Sequence, residues 1–272
     1  MPKWPWVPAE DRREPLRQTF ESAAELYDAA RPEYPPELFD DVVALAELGR
    51  GARLLEIGCA TGKATRPFLE RGCSVVCVEL GAQLAARARR NLAGLPVTIE
   101  VAPFETWDGE AGSFDLVFAA TAWHWIDPTV RYPKAHRLLR PGRHLAFWSA
   151  AHAFPDGFDP FFTEIQDVYD EIGESHEGEW PPPRPEDVAD DADEIAASAL
   201  FEDVRVRRYF WALHYTADEY IALLDTFSGH IAMQPEKREH LYAEIHRRIA
   251  ARADPRVLRH WSTILHVARR RT

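Results

Sequence analysis

"RLLEIGCATGKATRPFLERGCSVVCVEL", residues 53–80, changes its hydrophobic period twice. "RLLEIG" (53–58) is a short apolar run, residues 62–71 have helical spacing, and "SVVCVEL" (74–80) is β-branched and apolar again. The reading is strand, tight turn, helix, strand. Gly58 and Gly62 sit in the turn, and acids stand at the ends of both strands, Glu56 and Glu79. An acid closing a buried strand needs a reason, and the turn beside it is where a ligand would lie.

Outward from this segment the same alternation continues. "RQTFESAAELYDAA" (17–30) and "PPELFDDVVALAEL" (35–48) read as helices, the second with proline in its first turn and Gly49 at its end. After Glu79 come a helix at 82–94, a strand "VTIEV" (97–101) and a strand "FDLVFAA" (114–120). A helix near 129–139 and a strand "RHLAFWS" (143–149) complete the series. Strands alternating with helices at this spacing, apolar throughout, predict an α/β fold with a doubly wound, mostly parallel sheet covered on both faces. After residue 150 the alternation stops. "DPFFTEIQDVYDEI", 217–228 and 236–252 read as helices, and "EWPPPRPED" (179–187) as an acidic, proline-rich loop. "FEDVRVRRYFWALHYT" (201–216) and "RHWSTILHVARR" (259–270) read as strands added to the sheet edge, which makes seven strands in all. No internal repeat or long linker interrupts the chain. It therefore reads as a single domain over 1–272, with a core at 20–150 and helical cover at 151–200 and 213–256.

Composition narrows the class. The 272 residues carry a net charge of −12, which makes nucleic acid a poor partner. No signal peptide and no stretch of transmembrane length is visible, so neither membrane insertion nor export is expected. Cys59, Cys73 and Cys77 are too few for a disulfide framework and have no histidine at metal-ligand spacing. Reduced, buried thiols in a cytoplasmic protein, with no metal, are the expectation. His240 with His246, and His260 with His266, likewise lack a third ligand.

In open parallel sheets the ligand crevice lies at the carboxyl ends of the strands, and a glycine turn lets backbone approach the ligand. Gly58 and Gly62 alone would be satisfied by a tight turn. Glu79, 21 residues after Gly58, adds an acid where two ribose hydroxyls would be held, so a nucleoside-containing cofactor is expected. The turn runs G-x-A-x-G, neither the dinucleotide G-x-G-x-x-G nor a P-loop. Glu56 would repel a pyrophosphate and suit a cationic amino or sulfonium group.

"LLEIGCATG", "VVCVEL", "FDLVFAATAWHWID" and "HRLLRPGRHLAFWS" together resemble successive motifs of class I S-adenosylmethionine-dependent methyltransferases. The similarity is to the type 11 group and its small-molecule, trans-aconitate methyltransferase-like members, over roughly residues 20–150. It implies a Rossmann-like methyltransferase fold and S-adenosyl-L-methionine as cofactor. By the same resemblance Glu56, Gly58, Ala60, Thr61 and Gly62 would line the methionine part. Glu79 would hold the ribose, and Leu80 would pack on the adenine. Phe104 and Glu105 would meet the adenine edge, although "VAPFE" offers Ala102-Pro103 where an acid is common. Ala120, Thr121 and Ala122 would lie under the methionine portion. "YDAARPEYP" resembles a segment that closes over the cofactor through Tyr27, Arg31 and Tyr34. Ala60 departs from the pattern, which has glycine at that place.

Methyl transfer from a sulfonium is an in-line displacement with a good leaving group. Orientation supplies much of the barrier reduction and a general base adds the rest. His124 is the candidate base, with Trp123 and Trp125 on the substrate side. The competing reading packs His124 and Trp125 under the rim and makes Asp127 the cap of a helix starting at Pro128. The expected function is transfer of a methyl group to a small organic molecule, O-methylation first. The alternatives are an NAD-dependent oxidoreductase and a cofactor binder that transfers nothing. Substrate, acceptor atom and oligomeric state stay open.

Overall fold

The run Arg53–Ile57 forms β1, four of its five residues buried, because strands covered on both faces have no solvent side to fill with polar groups. A computed structural model provides the structure, which describes residues 24–176, 178 and 180–272. The other strands are β2 (Ser74–Glu79), β3 (Val97–Val101), β4 (Phe114–Ala120), β5 (Leu139–Trp148), β6 (Ala150–Ala153), β7 (Phe201–Tyr215) and β8 (Val257–Arg270). The first five pair in parallel, with β1 between β2 and β4. β8 adds antiparallel to β5, His144 opposite Arg269. The whole order is β3-β2-β1-β4-β5-β8-β6, with β7 also paired to β8. The sheet thus has eight strands rather than seven. The extra one, β6, is the four-residue "AAHA", too short and too rich in alanine to show a period.

The helices are α1 (Ala24–Ala30), α2 (Pro36–Leu45), α3 (Thr65–Glu70), α4 (Ala82–Asn91), α5 (Pro128–Leu138), α6 (Phe161–Glu164), α7 (Gln166–Glu171), α8 (Ala192–Ala197), α9 (Ala217–Leu224), α10 (Ser228–Ile231) and α11 (Pro235–Ala250). Of the expected helix at 17–30, residues 17–23 lie outside the described residues. The helix expected from 62 starts at Thr65 because Gly62, at φ +90°, cannot be its first turn. Asp127 caps α5, accepting a hydrogen bond from Thr129 N at 2.8 Å, with Pro128 at the first helical position. Among the described residues no helix is long and apolar enough to cross a membrane.

Two compact units share the chain. One holds residues 32–150, 190–209 and 263–272; the other holds 151–189, 210–262 and the described residues up to Arg31. In the first, two apolar layers sandwich the sheet. On one face Phe39, Phe68, Phe118 and Trp148 interlock, with Phe118 and Trp148 stacked at 5.8 Å. On the other, Leu55, Val117, Leu145 and Phe147 pack with Trp123 and Tyr132. In the second unit Phe161, Phe162 and Tyr220 form edge-on aromatic contacts, and α11 buries Leu241, Ile245 and Ile249 on one face.

Candidate cofactor site

The strand order reverses between β1 and β4, on either side of which β2 and β5 continue outward, so a crevice opens at the carboxyl ends of β1 and β4. The turn after β1 fills it. Gly58 (φ +70°) leads off, its N–H still donating to Val78 O at 2.8 Å. A Cβ at Gly58 would lie 2.8 Å from the Cβ of Ala122, and one at Gly62 would lie 2.8 Å from Leu92 Cδ1. Both positions therefore require glycine on space as well as on φ. Ala60 takes φ +47°, a conformation that strains an L-residue by ~1–3 kcal/mol, which explains why glycine suits the place better. Asn91 Nδ2 braces the turn from α4 by donating to Thr61 O at 2.9 Å.

The two acids do different work. Glu79, nearly buried at the tip of β2, accepts from Ala60 N through Oε2 (2.8 Å) and from Gly81 N through Oε1 (2.9 Å). It ties the turn to the second strand. Glu56 is fully buried. Its Oε2 accepts from Thr65 Oγ1 at 2.5 Å, while its Oε1 has no hydrogen-bond partner. Burial, opposed by the Thr65 hydrogen bond and assisted by the charge of Glu79, pushes its carboxyl up to about 8. Thr61 Oγ1 is buried in the same turn and also without a partner. Two orphaned polar atoms at one glycine turn mark a place built for a ligand.

The other residues expected here divide. Tyr34, preceding α2, shares a hydrogen bond of 2.8 Å with Thr121 Oγ1. Thr121 itself stands at φ +54° just past β4, with its N–H donating to Trp148 O. Leu80, Ala120 and Ala122 are half-buried at strand ends. Phe104 is buried in the core beneath the third strand, with Lys134 Nζ 5.1 Å from its ring. Glu105 accepts from Asp127 N at 3.3 Å, so its side chain is engaged with the start of α5. Tyr27 and Arg31 belong to the other unit. There Arg31 donates through Nε to Thr226 Oγ1 (2.7 Å) and through Nη2 to Thr226 O (2.8 Å), and its guanidinium lies 4.0 Å from the Phe227 ring.

The Trp-His-Trp motif is a single 3₁₀ turn, Trp123–Trp125. Trp123 is buried and stacks on Phe147 at 5.0 Å, with Tyr132 edge-on, so its ring serves the core. His124 and Trp125 are half-buried, 5.0 Å apart. Burial, helped by the Arg131 guanidinium, lowers the His124 imidazole to about 4, so it is neutral at pH 7 and able to accept a proton. The expected substrate-side cover also divides, since α8 sits with the sheet and its Glu194 pairs with Arg131. All three cysteines are free and buried.

Sequence reading missed Thr65, the partner of Glu56. The signal was present: Thr65 lies nine residues on, at the first position of the helix that follows the turn. Asn91, Thr226 and the buried Arg259 were also missed. Their partners are 30 or more residues away, and no local pattern brings them together.

A parallel sheet with a glycine turn at its switch point and an acid at the tip of the second strand defines a Rossmann-like α/β protein. Residues 54–142 match the methyltransferase domain family. An uncharacterized methyltransferase of Mycobacterium tuberculosis is 37% identical over 134 residues, 49% of this chain and 52% of the relative. A malonyl-[acyl-carrier protein] O-methyltransferase of Enterobacter lignolyticus is 34% identical over 122 residues, 43% of this chain and 47% of the relative. The chain spans about half the length of these curated relatives. A protein from Anaeromyxobacter dehalogenans, described as a candidate type II methyltransferase, superposes with a TM-score of 0.64 at 25% identity, covering 88% of this chain and 97% of its own. The segment 54–142 is therefore similar in sequence to methyltransferase domains, and the fold around it is shared with the Anaeromyxobacter dehalogenans protein.

Proposed function

We propose that the protein transfers a methyl group from S-adenosyl-L-methionine to a small organic molecule, with oxygen as the preferred acceptor atom. The observation that carries this reading is Glu56: a fully buried carboxyl whose Oε1 has no partner, beside a glycine turn. It fits a ligand that brings a cationic amino group, and it disfavours the pyrophosphate of NAD. Thr61, Glu79 and Leu80 would hold the methionine part, the ribose and the adenine in that order. When bound, S-adenosylmethionine supplies an electrophilic methyl group with a neutral thioether as leaving group.

The chain's own contribution is mainly orientation, which can supply ~7–11 kcal/mol. The Gly58–Gly62 turn fixes the donor, while Tyr34 and Thr121 mark the end of β4. Neutral His124 would take a proton from an alcohol or acid, and Trp125, 5.0 Å from it, would supply an aromatic face on the substrate side. The net charge of −12 supports a small-molecule rather than a nucleic-acid partner, and the three free cysteines support a cytoplasmic setting. The test is release of S-adenosylhomocysteine from S-adenosylmethionine in the presence of a panel of small acids and alcohols. Release with at least one acceptor supports transfer. Tight cofactor binding with no release across the panel favours a binder that has lost the chemistry.

A further inference from the structure

The unit holding residues 151–189 and 210–262 contains a buried cation with no anion beside it among the described residues. Arg259, on β8, is 4% exposed. Its guanidinium carbon lies 4.3 Å from the Trp261 ring, 5.6 Å from Phe227 and 6.0 Å from Tyr220. Nη1 donates to His152 Nδ1 at 3.2 Å, and Nε has no partner. Among the described residues no Asp or Glu pairs with it. Its polar neighbours are neutral: burial and Arg259 itself hold His152 well below its ordinary value and His230 at about 4. Arg31, which lies over the other contact of Phe227's ring, adds a second positive charge within range.

A buried, unmatched charge is costly, and apolar residues of similar volume would serve a merely structural role better. The charge is therefore retained for something that arrives with the opposite sign. A guanidinium presents a planar fork that matches a carboxylate edge on. Arg31 directs Nε and Nη2 to Thr226, so Arg259 supplies the guanidinium fork that an incoming anion meets, and one fork matches a carboxylate better than a phosphate dianion. The rings of Trp261, Phe227 and Tyr220 suit an apolar body behind that group.

We infer that Arg259 anchors the carboxylate of a small organic acid with an apolar body, bound within this unit. The anion site rests on Arg259 and its surround, independently of the methyltransferase reading above.

The test is calorimetric titration of the full chain, with and without saturating S-adenosylhomocysteine, using benzoate, hexanoate, neutral methyl benzoate and phenyl phosphate. Benzoate or hexanoate binds the wild-type chain, and methyl benzoate does not. Arg259→Lys weakens that binding at least tenfold and Arg259→Met at least a hundredfold, while affinity for S-adenosylhomocysteine is unchanged. The ligand-free Arg259→Met protein melts no lower than wild type, because an unmatched buried charge has been removed. The inference is overturned if neither carboxylate binds, if Arg259→Met binds them equally, or if phenyl phosphate binds more tightly. A lower melting temperature for ligand-free Arg259→Met also overturns it, since the arginine would then be structural. Carboxylate binding without any S-adenosylhomocysteine binding supports the anion site and removes the methyltransferase reading instead.

Discussion

Replacing Glu56 by glutamine keeps the shape of the side chain and its acceptor for Thr65 Oγ1, and removes the ionisable proton. The folded chain holds this carboxyl at about 8 against an ordinary 4.5. Each pKa unit is worth about 1.36 kcal/mol, so the group carries on the order of 5 kcal/mol of pH-dependent stability. The sign follows from the raised value. Between 4.5 and 8 the folded state binds more protons than the unfolded one. The contribution is complete below 4.5 and is lost as pH rises through about 8. Denaturant melts of the ligand-free chain at pH 5 and pH 8 isolate the term, because the other groups cancel when wild type and Glu56→Gln are compared. The two proteins should differ by under about 1 kcal/mol at pH 5, and Glu56→Gln should be more stable by about 4 kcal/mol at pH 8. A bound ammonium group would draw the proton off Glu56, so S-adenosylhomocysteine affinity should rise with pH between 6 and 8 by up to about tenfold per unit in wild type, and stay flat in Glu56→Gln. A stability difference that is the same at both pH values would refute the reasoning about Glu56.

Glu79→Ala should weaken S-adenosylhomocysteine binding at least tenfold, since charge-assisted hydrogen bonds are worth about 1.5–3 kcal/mol each; it should also lower the melting temperature by freeing Ala60 N and Gly81 N. Gly58→Ala, with its 2.8 Å approach to Ala122 Cβ, should cut cofactor affinity and stability together in the same titration and melt. His124→Asn should lower the methylation rate by about 10²–10⁴ with cofactor affinity unmoved. The wild-type rate should fall on the acid side near pH 4, where the imidazole gains its proton, and a fall near 6.5 would count against the base. Hydrogen exchange across residues 24–35 should slow when S-adenosylhomocysteine binds; equal protection with and without it would make α1 scaffold.

What the sequence made legible was local. β1, β2 and the turn between them follow from runs of apolar residues with Gly58, Gly62, Glu56 and Glu79 at their ends, and the structure returns them with Gly58, Ala60 and Gly62 all at positive φ. The Asp127-Pro128 start of α5 was equally readable from its cap. β6 was not, because four residues of alanine and histidine carry no period. Trp123 looked like a substrate-side ring next to His124, and only the tertiary packing of Phe147 and Tyr132 against it shows a core residue. Arg259 sat unnoticed in a strand whose histidines drew attention. Its significance is that no acid among the described residues lies beside it, which is a property of the fold and invisible along the chain.

The claim on which the rest depends is that the turn at 58–62, with Glu56 and Glu79, receives S-adenosylmethionine rather than a dinucleotide. Titration calorimetry of the full chain with S-adenosylhomocysteine and, separately, with NAD addresses it directly. The account predicts one S-adenosylhomocysteine bound per chain, with affinity reduced in both Glu56→Gln and Glu79→Ala, and no heat from NAD. Saturable binding of NAD in the absence of S-adenosylhomocysteine binding would contradict it.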